Sequence, residues 1–263
     1  MANLFKPSIP SLWKPPLGAQ INRSHPLSQR LVGAWLMNEG GGKLAKDITG
    51  IGGDMSLTGP QWTVGKYGPT LSNNGSSGTY GKVTAGAGTP LDVTGNALSF
   101  GCWFYRTSSV SYEYVMGRDS AGTRQYSIIF GPGLNYIIQD GGRSGGIILD
   151  YSYALNTWNH LFFTYDGANV TPYLNGKKST PYAATTPISS ASGSSNVFLF
   201  EQVQGNYPLS GAIDIPLIYN RVLSAAEVQQ LYLKPFSFMQ PSRGIIMPGS
   251  AAAVTSRMWS FVG

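Results

Sequence analysis

The feature that most constrains the fold of this chain is a series of short apolar runs separated by turn-forming residues. Between Leu31 and Tyr219 more than a dozen such runs follow one another, each with the length of an ordinary β-strand. Asp166-Gly167 and Asn175-Gly176 stand between runs, and both dipeptides suit tight turns that require a positive φ. Runs at this spacing predict an all-β sandwich or barrel.

The composition supports the same prediction. Glycine contributes 34 of the 263 residues and charged residues make up 11%, whereas ordinary globular proteins have about 7% and about 25%. Such a chain has many turns and a surface that is polar but carries few charges. At this length we expect one large β domain with two terminal arms, because sandwiches and barrels often reach ~200–250 residues.

The predicted boundaries divide the chain into an extended amino-terminal arm (1–30), a domain (31–232) and a carboxy-terminal arm (233–263). The two arms contain seven basic residues and no acidic ones, so their charge is +7. Since the whole chain has a net charge of +6, the domain itself has a net charge of −1. These charges are too widely spaced for a nucleic-acid-binding tail. We therefore expect no nucleic acid as a partner, and either an acidic protein surface or solvent around the arms.

A short helix is predicted near the end of the domain. Ser224 and Glu227 have the spacing of a capping box, in which each side chain accepts a hydrogen bond from the other residue's backbone N–H. Leu223 and Val228 stand at the two positions of a hydrophobic staple. Pro235 ends the helix because proline disfavours the helical conformation of the residue before it.

Five segments carry a resemblance to a known family. The order AWLMNEGGG, KDITGIGGDMSLTG, ALSFGCWFYR, LNTWNHLFFTYDGANVTPYLNGKK and GAIDIPLIYNRVLSAAEVQQLY, within residues 31–232, resembles the laminin G-like, concanavalin A-like lectin jelly rolls. The resemblance implies an all-β, two-sheet antiparallel jelly-roll sandwich with one short C-terminal helix and extended N- and C-terminal arms. It also implies that function lies in rim loops or on the concave face.

The same resemblance implies a calcium ion at the rim. The matching candidates are Asp47 and Asp214, with the Gly50 carbonyl and Glu39 nearby. Calcium takes six to eight oxygen ligands, and these groups would supply only part of that set. The other interpretation is that Asp47 is a turn residue that binds its own backbone and Asp214 an acceptor in the last strand. The sequence is consistent with both interpretations, and calcium is the one cofactor that the resemblance suggests.

The sequence lacks a recognisable catalytic set. Glucanases of this fold use closely spaced carboxylates, but no run here has a Glu-x-Asp-x-Glu pattern. We interpret His160 as a half-buried packing residue and Cys102, the single cysteine, as a buried thiol. We therefore expect that the protein is not an enzyme. Six tyrosines could stack on sugar rings or simply pack within the protein: Tyr112, Tyr114, Tyr126, Tyr136, Tyr151 and Tyr153.

Two functions are consistent with these observations. The main hypothesis is a virion structural protein, such as a bacteriophage capsid decoration or head-surface protein, made in the host cytoplasm without a signal peptide. It rests on the lectin-type fold, on two basic apolar arms, and on the lack of a secretion signal and of a membrane span of ~18 apolar residues. The alternative is a calcium-dependent glycan-binding module, free or on a tail fibre.

Under the main hypothesis the arms contact capsid protein or identical subunits, with no membrane partner. The predicted interface residues are aromatic and basic side chains of the two arms, namely Phe5, Lys6, Trp13, Lys14, Phe236, Phe238, Arg243, Arg257 and Trp259.

Overall fold

The computed structural model describes residues 13–109, 111–120, 123–133, 136–140, 146–190, 195–201 and 207–240. This part of the chain contains a 3₁₀-helix (Pro26–Ser28) and an α-helix, α1 (Ala225–Leu233). Its strands are β1 (Leu31–Ala34), β2 (Leu44–Ala45), β3 (Met55–Thr58), β4 (Gln61–Gly65), β5 (Gly68–Asn74), β6 (Tyr80–Thr84), β7 (Leu98–Arg106), β8 (Glu113–Ser120), β9 (Thr123–Phe130), β10 (Tyr136–Asp140), β11 (Gly146–Ile148), β12 (Trp158–Tyr165), β13 (Asn169–Leu174), β14 (Lys177–Lys178), β15 (Tyr182–Ala183), β16 (Asn196–Leu199) and β17 (Ser210–Tyr219). Within the described ranges no helix is long and apolar enough to cross a membrane.

These strands form two antiparallel sheets. In the described residues one sheet has nine strands, with the order β14-β13-β12-β7-β17-β5-β4, and β1 and β15 pair with β17 and β13. The other has eight strands in the order β11-β10-β9-β8-β16-β6-β3-β2. Asn175 and Gly176 join β13 to β14 with φ of 51° and 76°, so the predicted Asn-Gly turn is confirmed.

The main core lies between the two sheets. It contains the side chains of alternate residues on the central strands, among them Phe100, Phe104, Phe163 and Ile213. Because successive strand residues point to opposite faces, Trp103 and Phe162 lie on the other face of the nine-stranded sheet. They belong to a second apolar cluster that does not face the eight-stranded sheet.

This outer face of the nine-stranded sheet has two regions, which we call the covered half and the open half. In the covered half, the sheet residues Trp103, Phe162, Tyr173, Leu217 and Tyr219 are buried under Val228 and Leu231 of α1 and under Ile21, Leu27, Phe238 and Met239 from the segments before β1 and after α1. In the open half, the same strands present Tyr105, Trp158 and Ala212 beside β4 and β5.

The predicted jelly-roll sandwich with one short C-terminal helix is confirmed, and the helix begins with the predicted capping box at Ser224. The parts of the two predicted arms that the structure describes pack against the domain and do not extend away from it. Ile21 pairs with Met239 in an isolated bridge, and both residues are buried. The folded domain therefore extends beyond the predicted limits of 31 and 232, because the apolar side chains of both arms complete the covered half.

Candidate functional site

Two aromatic side chains stand next to each other on the open half. Tyr105 near the end of β7 and Trp158 at the start of β12 are direct cross-strand partners, with ring centroids 5.8 Å apart. Cross-strand neighbours on one face have Cβ atoms only ~4.5–5.5 Å apart, so the sheet register itself brings these rings together. Both side chains are half-buried, which leaves part of each ring accessible.

The two rings form one wall of a cleft of about 520 Å³. The remaining walls come from β4, β5 and β17 and from the residue after β7, and their polar groups are hydroxyls, amides and backbone atoms. In the described chain every residue that lines the cleft is uncharged: Thr63, Val64, Ser72, Asn73, Asn74, Tyr105, Thr107, Trp158, Ser210, Gly211 and Ala212.

Two glycines make room for the aromatic pair. A Cβ atom at Gly65 would lie 3.0 Å from Cζ2 of Trp158, so glycine lets the indole lie against the β4–β5 hairpin. Gly211 has a φ of 154°, and a Cβ atom there would collide with the carbonyl oxygen of Tyr105. The backbone of β17 can therefore approach β7 closely at the base of the cleft.

A buried ion pair supports the polar end of the cleft. Arg106 Nε donates to Glu113 Oε2, and both side chains are at most 2% exposed. The other carboxylate oxygen of Glu113 accepts from the backbone N–H of Ser210 at 3.0 Å. Ser210 in turn contacts Thr107, with 2.7 Å between the two hydroxyl oxygens. The network thus fixes the positions of two hydroxyl groups that line the cleft.

The predicted calcium ligands have other partners. Oδ1 of Asp47 accepts from the backbone N–H groups of Ala34 and Thr49, and Oδ2 accepts from those of Gly52 and Gly53 and from the Thr49 hydroxyl. Asp47 therefore acts as the turn residue of the second interpretation. Glu39 Oε1 accepts from the backbone N–H of Lys46, and Gly50 has a φ of 76° in the same loop.

Asp214 is fully buried and forms an ion pair with Lys14, whose Nζ lies 2.5 Å from Oδ1. Burial raises the pKa of Asp214 to about 7, and the nearby lysine opposes that effect. Burial likewise lowers the pKa of Lys14. An ammonium group beside Asp214 and N–H donors around Asp47 do not fit a shared calcium ion, and the described residues contain no group of three metal-binding side chains. Calcium binding stays a prediction without support from this geometry.

The predicted interface residues divide into three groups. Lys14, Phe236 and Phe238 contact their own domain: the Lys14 side chain is 3% exposed, Phe238 is 0% exposed, and Phe236 packs on the same cluster. Burial within the domain argues against an interface role for Lys14, which pairs with Asp214, and for Phe238, which packs in the covered half, while Phe236 is half-buried beside it. Trp13 is 66% exposed. The remaining five lie outside the described residues, namely Phe5, Lys6, Arg243, Arg257 and Trp259.

The tyrosines predicted from the sequence do not form one platform. Tyr114, Tyr126 and Tyr153 are at most 5% exposed, whereas Tyr112 and Tyr151 are 39% and 40% exposed. The Tyr136 side chain lies outside the part that is described.

Cys102 is buried, as the sequence predicts, and His160 is a packing residue that is buried more fully than the predicted half, at 2% exposed. Burial lowers the pKa of His160 to about 3 and raises that of the Cys102 thiol. His160 lies between aromatic rings, with its ring centroid 5.2 Å from that of Trp103 and 5.7 Å from that of Phe162.

The sequence reasoning missed the cleft itself. Trp158 stands in a segment of the family resemblance, and Tyr105 is not among the six tyrosines considered for sugar stacking. A usable signal existed, because Tyr105 lies two residues after Trp103 and so shares its face, while the apolar core residues of β7 have even numbers.

Comparison with known proteins gives a consistent picture of the fold. Residues 77–229 match the family described as the concanavalin A-like lectin/glucanases superfamily. No curated protein matches the sequence.

Several solved structures are similar in fold. Domain 4 of AbnA, an extracellular arabinanase from Geobacillus stearothermophilus, solved in complex with arabinotriose, has a TM-score of 0.57 at 18% identity, and the match covers 77% of this chain and 98% of that one. The binding domain of Paraclostridial mosquitocidal protein 1 has a TM-score of 0.61 at 18% identity, with 79% and 53% covered. The binding domain of botulinum neurotoxin DC, in complex with SialylT, has a TM-score of 0.59 at 15% identity, with 78% and 51% covered. This chain thus spans about half the length of the two toxin domains.

Proposed function

The chain belongs to the concanavalin A-like lectin/glucanase superfamily, and from that premise we propose that it binds a neutral saccharide in the cleft beside Tyr105 and Trp158. The observation that carries this proposal is the pair of partly accessible aromatic rings in the open half of a sheet face whose other half is buried. A sugar ring has apolar C–H faces that pack on aromatic rings and hydroxyls that need hydrogen-bond partners, and this cleft supplies both kinds of contact.

The chemistry of the lining supports a neutral ligand. Ser72, Asn74, Thr107 and Ser210 offer hydroxyl and amide groups that can both donate and accept hydrogen bonds. An anionic sugar is usually recognised through Arg or Lys, which form charge-assisted hydrogen bonds with carboxylates. None of the described lining residues is basic. The volume of about 520 Å³ lies within the ~300–1,000 Å³ that is usual for a small-molecule site.

The same lining supports binding without hydrolysis. Glycoside hydrolysis generally needs two carboxyl groups beside the scissile bond, ~5 Å apart in retaining enzymes and further apart in inverting ones. The described residues that line the cleft include no Asp or Glu. The two similar structures solved with arabinotriose and SialylT are also compatible with a binding role.

The first experiment is a binding screen of the full chain against neutral and sialylated oligosaccharides, including arabino-oligosaccharides, with and without EDTA. We expect saturable binding to a neutral oligosaccharide that EDTA does not change. Preferential binding to sialylated sugars, or binding to none of the sugars, would contradict the proposal.

The second experiment locates the binding site by calorimetry with the best neutral sugar. Trp158→Ala and Tyr105→Ala should each weaken binding about 30-fold, which corresponds to the ~2 kcal/mol of an aromatic hot spot. The control is Tyr151→Ala, since Tyr151 is 40% exposed but does not line the cleft. A loss of sugar affinity that appears only in Tyr151→Ala would indicate that the binding site lies outside the cleft.

A virion role is a second candidate, for which Trp13 is the favourable observation. Trp13 and Leu17 are 66% and 64% exposed on the segment before β1, and exposed large apolar side chains often mark a protein interface. If this segment attaches the protein to a particle, Trp13→Ala/Leu17→Ser should abolish co-sedimentation with that particle while sugar binding remains. Unchanged co-sedimentation would remove this role from the segment.

A further inference from the structure

The longest strand of the nine-stranded sheet has a gap along one edge. On that edge β5 pairs with residues 210–213 of β17, and β1 pairs with residues 217–219. Asp214 and Ile215 lie between these two pairings, and Ile215 has a φ of 49° where the register against β7 also shifts. The fully buried carboxylate of Asp214 therefore stands where neither β5 nor β1 continues the ladder.

The side chain of Lys14 enters this gap from the segment before β1. Its Nζ lies 2.5 Å from Asp214 Oδ1 and 3.0 Å from the carbonyl oxygen of Met37, and it also donates to the carbonyl oxygen of Pro69. An ammonium group has three N–H donors. Each donor thus has one acceptor, and the three acceptors come from the residues after β1, from β5 and from β17.

The lysine backbone is held in place as well. Its N–H donates to the carbonyl oxygen of Tyr67 at 3.0 Å, and Asn38 Nδ2 donates to the carbonyl oxygen of the next residue, Pro15, at 2.9 Å. A cation that is tethered in this way has a high effective concentration at its site, so a free ion competes with it poorly.

We propose that the oxygens of Asp214, Met37 and Pro69 form a cation site whose natural occupant is the ammonium of Lys14. The lysine takes the place of the calcium ion that the sequence resemblance implies, closes the gap between β1 and β5, and fixes the segment before β1 on the sheet. Without the lysine amine, the site accepts a small external cation, such as a primary alkylammonium ion.

The proposal is consistent with the electrostatics of burial. A buried carboxylate that loses its partner either keeps its charge in a low-dielectric surrounding or takes up a proton, and both outcomes are destabilising because the ion pair is lost. A matched comparison exists in Lys46, whose Nζ also lies 2.5 Å from a carboxylate oxygen, that of Asp54. That pair is exposed, with side chains 61% and 38% accessible, and exposed ion pairs contribute little.

The experiment compares Lys14→Ala with Lys46→Ala in the full chain by calorimetry. We expect the melting temperature to fall by roughly 6–15 °C in Lys14→Ala and by about 2 °C or less in Lys46→Ala. Ethylammonium chloride should restore part of the loss in Lys14→Ala, whereas tetramethylammonium chloride at the same ionic strength should not, because it has no N–H donor.

Two results would overturn the proposal. One is a wild-type protein that calcium chloride stabilises and EDTA destabilises, because the pocket would then hold a metal ion despite the lysine. The other is an equal change in melting temperature in Lys14→Ala and Lys46→Ala.

If Lys14→Ala does not fold, Lys14→Met and the double variant Lys14→Met/Asp214→Leu replace it. The double variant should be more stable than the single one, because it leaves no unpaired buried charge. A double variant no more stable than Lys14→Met would show that the lysine acts by packing and not as a cation.

Discussion

The covered half and the open half of the nine-stranded sheet are built from the same strands. On β7, Trp103 is 2% exposed and stacks on Tyr232 of α1 at 5.4 Å, whereas Tyr105, two residues later on the same face, is partly accessible. On β12 the same contrast separates Phe162 from Trp158. The difference arises from what covers the strands: α1 and the two flanking segments supply the apolar side chains over the covered half, whereas none of their described residues lines the cleft.

If the cleft binds a saccharide as proposed, the two halves should have separable roles. Substitutions in the covered half should reduce stability and leave saccharide binding intact in the molecules that remain folded. Substitutions in the open half should do the reverse. The following predictions test that separation, from the largest expected effect to the smallest.

Leu231→Ala should lower the free energy of unfolding by about 2–5 kcal/mol, because it leaves a cavity under α1 where Leu231 is 1% exposed. Leu233→Ala is the control on the same helix, since Leu233 is 57% exposed. Urea unfolding measures both values, and calorimetry measures sugar affinity in the folded protein. A large loss of affinity in Leu231→Ala would break the separation between the halves.

Acid should destabilise the covered half through His160. Burial lowers the pKa of its ring to about 3 from the ordinary value of 6.5, so the unfolded state binds the proton more tightly. The stability that this group contributes is complete above pH 6.5 and is lost as the pH falls toward 3, with a slope of up to ~1.4 kcal/mol per pH unit.

The measurement is urea unfolding between pH 7 and pH 4 for the wild type, for His160→Phe and for His25→Gln as the control. His160→Phe should have a shallower acid slope than the other two proteins. Equal slopes in all three would contradict the assignment to His160.

Ser224→Ala should cost about 1 kcal/mol of stability, because it removes the capping box at the start of α1. Ser224→Asp should recover most of this loss, since aspartate is also a good N-cap residue. Thermal unfolding checks both, and an effect of the alanine variant that aspartate does not reverse would argue against the cap.

Val64→Thr should change stability by less than about 0.5 kcal/mol, because Val64 is 83% exposed. Val64 lines the cleft, so the same change should alter sugar affinity measurably. An affinity equal to that of the wild type would mean that the ligand does not reach β4.

Local signals explain how much of the fold the sequence predicts. The apolar run from Trp158 to Tyr165 ends at an Asp-Gly turn, and this local pattern predicts β12 with its observed limits. The capping box at Ser224 and the Asn-Gly turn at Asn175 depend on only a few adjacent residues. These features need no knowledge of distant parts of the chain.

The strand β4 was missed because none of its five residues is fully buried. It is the edge strand of the sheet path, and an exposed edge strand has no apolar alternation for a pattern to detect. Thr63 and Val64 of the cleft were missed with it.

The remaining features of the site depend on contacts between distant residues. Lys14 and Asp214 are 200 positions apart, so no spacing rule connects them. The resemblance implies a cation beside Asp214 and names calcium. In this structure the cation is the ammonium group of Lys14, which the resemblance could not indicate because Lys14 lies outside the segments that carry it. The pairing of Tyr105 with Trp158 likewise requires the register of β7 against β12.

The position of β17 has a consequence for the order of events during synthesis. This strand spans Ser210–Tyr219, yet it lies between β7 and β5 in the middle of the nine-stranded sheet. While a ribosome makes the chain, β4 and β5 therefore emerge long before the strand that joins them to β7. Such non-local pairing is slow and leaves strand edges unpaired in the meantime. The walls of the cleft therefore come together only after the first residues of β17 have left the exit tunnel, so the cleft forms well after β4 and β5 have been made.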